Sequence, residues 1–200
     1  MTAHSLRARF KATVTEAILD AAEELAAEVG VPGTNLQAVA KRAGVAVGTI
    51  YNHFEDRSEL FAELFARRRQ ELLNALDTAS KKTATARFDA QLESYVSTVL
   101  SYFDTRRKFL RLAMDGHAHK PPVRKAGETQ ESMEQLTIRA ERIVRVGLKE
   151  KRIRADVAEL APYFLTSALR AVLIARVNAP EPLAGETARV IDLFSKGTSR

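Results

Sequence analysis

Apolar residues recur along most of this chain at intervals of three and four, the spacing that places them on one face of an α-helix. In the first such run they are Phe10, Val14, Ala17, Ile18, Ala21, Leu25 and Val29, which predicts a helix over about 10–29. Gly30 suits its C-terminus, and Pro32 forbids simple continuation. Leu36, Val39, Ala40 and Ala43 then share one face of a short helix, with Lys41 and Arg42 opposite. Thr34-x-x-Gln37 reads as a capping box at its start: the hydroxyl accepts from the third helical amide while Gln37 reaches back to the cap amide. Gly44 takes the next turn, where a residue without Cβ reverses the chain tightly. Val45 is expected to plug that turn, and Ile50 and Phe54, at i and i+4, to anchor a third helix against the first two.

The pattern continues in longer pieces. From Ser58 to about Leu76 a helix carries Leu60, Phe61, Leu64, Phe65, Leu72 and Leu76 on one side, with Arg67, Arg68 and Arg69 crossing it. At about 1.5 Å per residue it spans roughly 30 Å. Residues 79–86 are polar and small and read as a loop. A helix near 86–104 follows, marked by Phe88, Leu92, Tyr95, Val96, Val99 and Phe103, then a short basic-apolar helix from about Arg106, closed by Pro121-Pro122. Residues 128–151 are helical again, with Met133, Leu136, Ala140, Ile143, Val144 and Gly147 inward. Asp156 with Glu159 reads as a further cap, with Pro162 kinking the first turn. Leu160 to Val177 is apolar nearly all round, which a helix tolerates when buried on both sides. The last helix, from Leu183 to about Ser195, sets Leu183, Thr187, Val190, Ile191 and Phe194 on one face. The expected fold is all-α, with about nine helices.

Composition narrows the classes. With 46% hydrophobic and 28% charged residues the chain is globular. The absence of cysteine removes disulfides, thiolate metal sites and thiol redox sensing. No basic n-region precedes an apolar h-region, and Pro162, Arg170 and Arg176 interrupt the most apolar segment, so a soluble, cytoplasmic protein without a membrane partner is expected. The formal charge of +6 suits a nucleic-acid partner, but its distribution does not. Residues 1–80 hold nine Lys or Arg against eleven Asp or Glu, while the remainder holds 22 against 14. Bulk charge therefore makes no case for the N-terminal half. What helps locally is that Arg7, Arg9 and Lys11 precede an acidic run from Glu16 to Glu28, so that a basic arm can meet phosphates while the acidic face looks away.

The case rests on the 33–60 stretch. If Ile50 and Phe54 point inward, then Val47, Gly48, Thr49, Tyr51, Asn52 and His53 are available to face outward. A recognition helix enters the major groove with its N-terminal residues near base edges while its neighbours hold phosphates. Gly48 permits close backbone approach, Thr49 offers a hydroxyl and a methyl, and Val47 offers apolar contact. Tyr51 and His53 can donate to phosphate oxygens, and Asn52 to either a base or the backbone. No Arg projects from this helix, so direct readout is modest and DNA shape carries a substantial share.

The order Thr34, Leu36, Val39, Ala40, Ala43-Gly44-Val45, Gly48-Thr49-Ile50-Tyr51, His53-Phe54, Arg57 and Leu60 resembles the DNA-binding domain of the TetR family of bacterial transcriptional regulators. The match runs from about Phe10 to Phe61. The resemblance implies DNA contacts from Thr34, Asn35, Val47, Gly48, Thr49, Tyr51 and His53, and a phosphate contact from Arg57, where the family usually has Lys. One departure is Ala46, where the family usually has Ser; a missing N-cap side chain costs about 0.5–2 kcal/mol. The implied organisation is a helix-turn-helix domain over 1–57 and a helical ligand-sensing and dimerisation domain over 58–200. The last two helices would form the homodimer interface, setting two readers about one DNA turn apart on a palindromic operator.

The resemblance also implies a small-molecule effector, unidentified by the sequence, whose binding moves the linking helix. Candidate lining residues are Phe65, Tyr95, Phe103, Phe109, Met114, Met133 and Phe164, aromatics and thioethers at core-facing spacing. Asp115-x-His117-x-His119 matches no helical i, i+4 ligand pair, so neither metal nor cofactor is expected. No Glu-x-x-His pair, His-Glu-x-x-His, Gly-rich phosphate loop or Cys nucleophile marks an enzyme. The expected function is a ligand-released repressor. The alternative is an architectural or ligand-blind DNA-binding protein, distinguished by weak sequence preference and a steep salt slope.

Overall fold

A computed structural model of the chain describes residues 3–115 and 128–199, with side chains over 9–114 and 131–199. Among these residues all regular structure is helical: α1 Ala3–Gly33, α2 Leu36–Ala43, α3 Val47–Tyr51, α4 Arg57–Lys82, α5 Phe88–Thr105, α6 Arg107–Asp115, α7 Glu128–Lys149, α8 Ala161–Ala175 and α9 Thr187–Thr198, with 3-10 turns at Ala155–Val157 and Leu183–Glu186. His117, His119 and Pro121-Pro122 lie outside the described residues. Two compact units result: Met1–Arg68 with Arg111–Arg124, and Arg69–Leu110 with Lys125–Arg200. The first turns of α4 thus belong to the first unit and the remainder to the second.

In the first unit, Gly30 breaks α1 at φ 76°, ψ 159°, and a single turn containing Pro32 follows. That break redirects the cap of α2. Gly30 O accepts the Thr34 hydroxyl at 2.9 Å, and the Thr34 amide donates to Val31 O, so the amide that Gln37 was to reach back to is already engaged. Asn35 caps instead, its Oδ1 accepting from Ala38 N–H at 2.8 Å. The helix start expected just before Leu36 is correct, but the capping residue is one position later. Gly44 turns the chain in the left-handed region at φ 68°. Leu36, Val39, Ala40, Ile50 and Phe54 are buried.

The inward face of α1 is as expected at Ile18 and Ala21 and is corrected at its ends. Ile18, Leu19, Ala21, Ala22 and Ala26 are buried, whereas Phe10 is 73% exposed and Val29 is exposed. The cause is ionic. Arg68 of α4, 1% exposed, donates Nε–H to Glu23 at 2.8 Å and a terminal N–H to Asp20, with Glu16 at 3.4 Å. These carboxylates lie at i, i+4 and i+7 along α1, so the side of α1 that they define is turned toward Arg68.

In the second unit, α4 continues to Lys82 where a loop was expected from residue 79. Ala79, Lys81 and Lys82 are good helix formers, and lysines in the last turn complement its carbonyl end. α5 packs on α7, α8 and α9, α7 on α8, and α8 on α9. Phe88, Leu92, Tyr95, Val96, Val99, Leu100 and Phe103 are buried along α5. Gly147 allows a close approach: a Cβ there would lie 2.8 Å from Phe88 and Ile153. α8 starts at Ala161 with Pro162 in its first turn and no side-chain cap, not at the Asp156-x-x-Glu159 pair, which lies in and just after a 3-10 turn. Proline fits there because first-turn amides need no intrahelical acceptor. Leu160, just ahead of α8, is exposed, as are Tyr163, Phe164 and Ile174 on α8 and Leu193 on α9, so the all-round burial expected for 160–177 is not met within one chain. Among the described residues no helix is long and apolar enough to cross a membrane.

Candidate nucleic-acid interface

The short helix α3 is held from behind and open in front. Ile50 is fully buried and Phe54 nearly so, each contributing an apolar anchor worth about 1.5–3 kcal/mol. The turn extends past Tyr51 through Asn52 N–H to Gly48 O and Phe54 N–H to Ile50 O. With that face committed, Val47, Gly48, Tyr51 and Asn52 are exposed, and Thr49 and His53 half-buried. A Cβ built at Gly48 meets nothing within 4 Å, so the backbone there is open to a surface laid against it. Ala46 precedes the helix in extended conformation and makes no side-chain cap. Val47, Gly48, Tyr51 and Asn52 thus form one exposed edge, flanked by half-buried Thr49 and His53.

The flanking candidates divide. Asn35 is exposed; its carbonyl oxygen caps α2, which leaves its amide hydrogens facing outward. Thr34 is 1% exposed with hydroxyl and amide both donated within the chain, so its side chain is removed from the contact set. Arg57 is half-buried and donates to Pro32 O at 2.7 Å and, more weakly, to Thr34 O, tying the start of α4 to the α1–α2 turn. A guanidinium carries five N–H donors, so the remainder of its fork stays available to an anion. His53 Nδ1 lies 3.0 Å from the Thr15 hydroxyl of α1. Burial, and then the charge of Lys11, hold its imidazole below the ordinary histidine range.

Residues 18–64 match the family model described as bacterial regulatory proteins, tetR family. This stretch is thus similar in sequence to the DNA-binding domain of TetR-family regulators. Among curated TetR-type relatives, it is 36% identical over 70 residues to the fatty acid metabolism regulator protein of Bacillus subtilis (strain 168), 35% of this chain and 36% of that one. It is 50% identical over 48 residues to the HTH-type transcriptional regulator AcrR of Shigella flexneri, 24% and 22% of the two chains. The matched stretches thus span about a third or less of those relatives. The fold likeness is broader: the transcriptional regulator FadR from Bacillus subtilis, solved in complex with stearoyl-CoA, superposes with a TM-score of 0.76 over 91% of this chain and 98% of its own, at 20% identity. At that identity the likeness speaks for the all-helical fold alone.

The seven candidate ligand residues are divided between the two units. Phe65 and Met114 belong to the first unit and the other five to the second. Phe103 and Phe109 stack on one another, ring centroids 6.2 Å apart and 4° from parallel. Phe164 stacks on Phe194 and closes against Gly197 of α9. Met133 is half-buried. Tyr95 alone of the seven borders the cavity between α4, α5 and α7, about 30 Å³, lined also by Leu76, Gln91, Arg139 and Ile143. That is room for about one water. The Tyr95 hydroxyl donates to Leu136 O at 3.0 Å, and burial pushes its phenol well up.

Sequence reasoning passed over three residues. Arg68 was visible only as one of three consecutive arginines, although Glu16, Asp20 and Glu23 at i, i+4 and i+7 on a largely apolar helix were a signal for a buried cation. Arg107 donates to the carbonyls of Arg176, Ala179 and Glu181 while paired to Asp104, and so shapes the turn after α8. No local pattern announces such long-range carbonyl contacts. Thr15 meets His53 across 38 positions in the chain.

Proposed function

We propose that this protein is a sequence-specific DNA-binding transcriptional regulator acting as a homodimer. On this reading it is a repressor released from a palindromic operator by a small molecule. The observation that carries the reading is the exposed edge of α3, Val47, Gly48, Tyr51 and Asn52, held by buried Ile50 and Phe54 on a helix pair with TetR-family sequence. Val47, Gly48 and Thr49 read base edges, Asn52 meets a base or the backbone, and Tyr51, His53, Asn35 and the free part of Arg57 hold phosphates. Residues 1–57 serve as reader and 58–200 as the sensing and pairing part.

Pairing through α8 and α9 is supported by the exposed Leu160, Tyr163, Phe164, Ile174 and Leu193, apolar surface that a second copy would cover. The effector is apolar or amphipathic on this reading, consistent with the buried apolar lining of the second unit and with the stearoyl-CoA carried by the structurally similar FadR. Because the cavity at Tyr95 holds about one water, an effector seated there binds only as side chains move apart. Selection of bound duplexes from random DNA, followed by footprinting, tests the reading: a protected palindrome is expected. Uniform weak binding with a steep salt slope would instead favour an architectural role. Long-chain acyl thioesters are the first compounds to titrate against the resulting complex, with DNA release as the readout.

A further inference from the structure

Thr15 Oγ1 lies 3.0 Å from Lys11 O, one turn back on α1, and 3.0 Å from His53 Nδ1. A hydroxyl has one hydrogen to give and lone pairs to receive, whereas a carbonyl oxygen only accepts. With the Thr15 hydrogen committed to Lys11 O, the contact with the ring requires that Nδ1–H donate to Thr15. In the neutral ring Nε2 then carries the lone pair. A phosphate oxygen also only accepts, so a neutral His53 in this tautomer meets a phosphate acceptor to acceptor. Protonation converts Nε2 to a donor without disturbing the bond to Thr15.

We infer that Thr15 is a positioning residue that holds His53 in the Nδ1–H tautomer, so that docking of Nε2 on a DNA phosphate takes up one proton from solvent per protomer. The inference deepens the DNA-binding reading and rests on it. Lys11 of α1 is the charged group that bears on the ring, and with burial it favours the neutral form in the free protein. Of the carboxylates next along the chain, Asp56 accepts from Glu59 N–H and Glu59 from Glu55 N–H at the start of α4, and Glu55 is exposed. A phosphate would supply the anion that the free site lacks and raise the imidazole pKa. Affinity therefore rises as pH falls through the interval between the free and bound values, by up to about tenfold per pH unit for each proton taken up.

Two measurements test this. Long-range proton–nitrogen NMR of the free protein above neutral pH is expected to show Nδ1 protonated and Nε2 bare; the opposite tautomer overturns the inference. Binding of a duplex recovered by selection is then followed by fluorescence anisotropy from pH 6 to 8.5 at fixed salt. The unmodified protein and Thr15→Ser should gain affinity as pH falls. His53→Gln, which cannot take up a proton, should bind with a flat profile. Thr15→Val should flatten it too, because the freed ring can donate from Nε2 while neutral. Tight binding that is pH-independent in the unmodified protein, or a slope that survives in His53→Gln, would sink this inference and leave the DNA-binding reading standing. No binding to any duplex at any pH would overturn both.

Discussion

At the scale of single residues, two caps decide how firmly the reading edge is presented. Asn35 caps α2 through its bond to Ala38 N–H, so Asn35→Ala should lower stability by about 0.5–2 kcal/mol in chemical denaturation. The same change removes an outward amide and should weaken operator binding. Ala46 has the opposite deficit. Its extended backbone, φ −65° and ψ 146°, already has the conformation of an N-cap, so Ala46→Ser should raise stability by a comparable amount with no loss of DNA binding. Arg68 is a larger matter. Removing it leaves Glu23, 7% exposed, as a buried carboxylate without its cation, at a cost of about 3–5 kcal/mol for Arg68→Met. Adding Glu23→Gln should recover part of that loss, and a thermal-unfolding double-mutant cycle reads the difference; equal and additive losses would show that the pair does not couple. The residues that a local pattern names, Gly30, Gly44, Ile50 and Phe54, are the ones legible in the sequence. Thr34 and Arg68 were not, because their partners depend on where a break or a distant helix places them.

At the scale of elements, helix existence was written in the spacing of apolar residues, and helix faces and ends less so. The face of α1 was legible at Ile18 and Ala21 but not in full, because periodicity weighs apolar groups alone and passes over the ionic line at Glu16, Asp20 and Glu23. α4 outran its expected end because small polar residues in 79–82 suit a loop by composition and a helix by propensity. The start of α8 was placed too early because Asp156 and Glu159 have cap-like spacing but sit in and beside a 3-10 turn. The packing of α5 on α7 offers an element-scale test at Gly147. On an exposed helix, Gly→Ala gains up to about 1 kcal/mol in propensity. Here the added methyl would stand 2.8 Å from Phe88 and Ile153, and overpacking of this kind costs about 1–3 kcal/mol. Gly147→Ala is therefore expected to destabilise, seen as a lower Tm; an increase would mean that the α5–α7 contact yields easily.

At the scale of the whole molecule, the reading edge is short and lacks arginine, and the chain over 1–80 has more acidic than basic residues. Arg42 is engaged with Glu28 in a bidentate pair, and Arg57 spends donors on Pro32 and Thr34. These two cations are thus wholly or partly engaged within the chain, and backbone neutralisation is the main source of non-specific affinity. On the proposed dimeric reading, a second linked reader would supply what one lacks, since a second contact made at high effective concentration multiplies affinity by about 10²–10⁴ without new chemistry. The exposed apolar residues of α8 and α9 are where that linkage is open to attack. Ile174 and Leu193 already face solvent in the single chain, so Ile174→Glu with Leu193→Glu should leave its folding intact while charging the pairing surface. Analytical ultracentrifugation is expected to shift from dimer to monomer, circular dichroism to stay unchanged, and operator affinity to fall by about 100-fold or more. Monomers that bind the palindrome as tightly as the dimer would show that α3 alone carries recognition. A dimer that survives both charges would place the pairing surface elsewhere than α8 and α9.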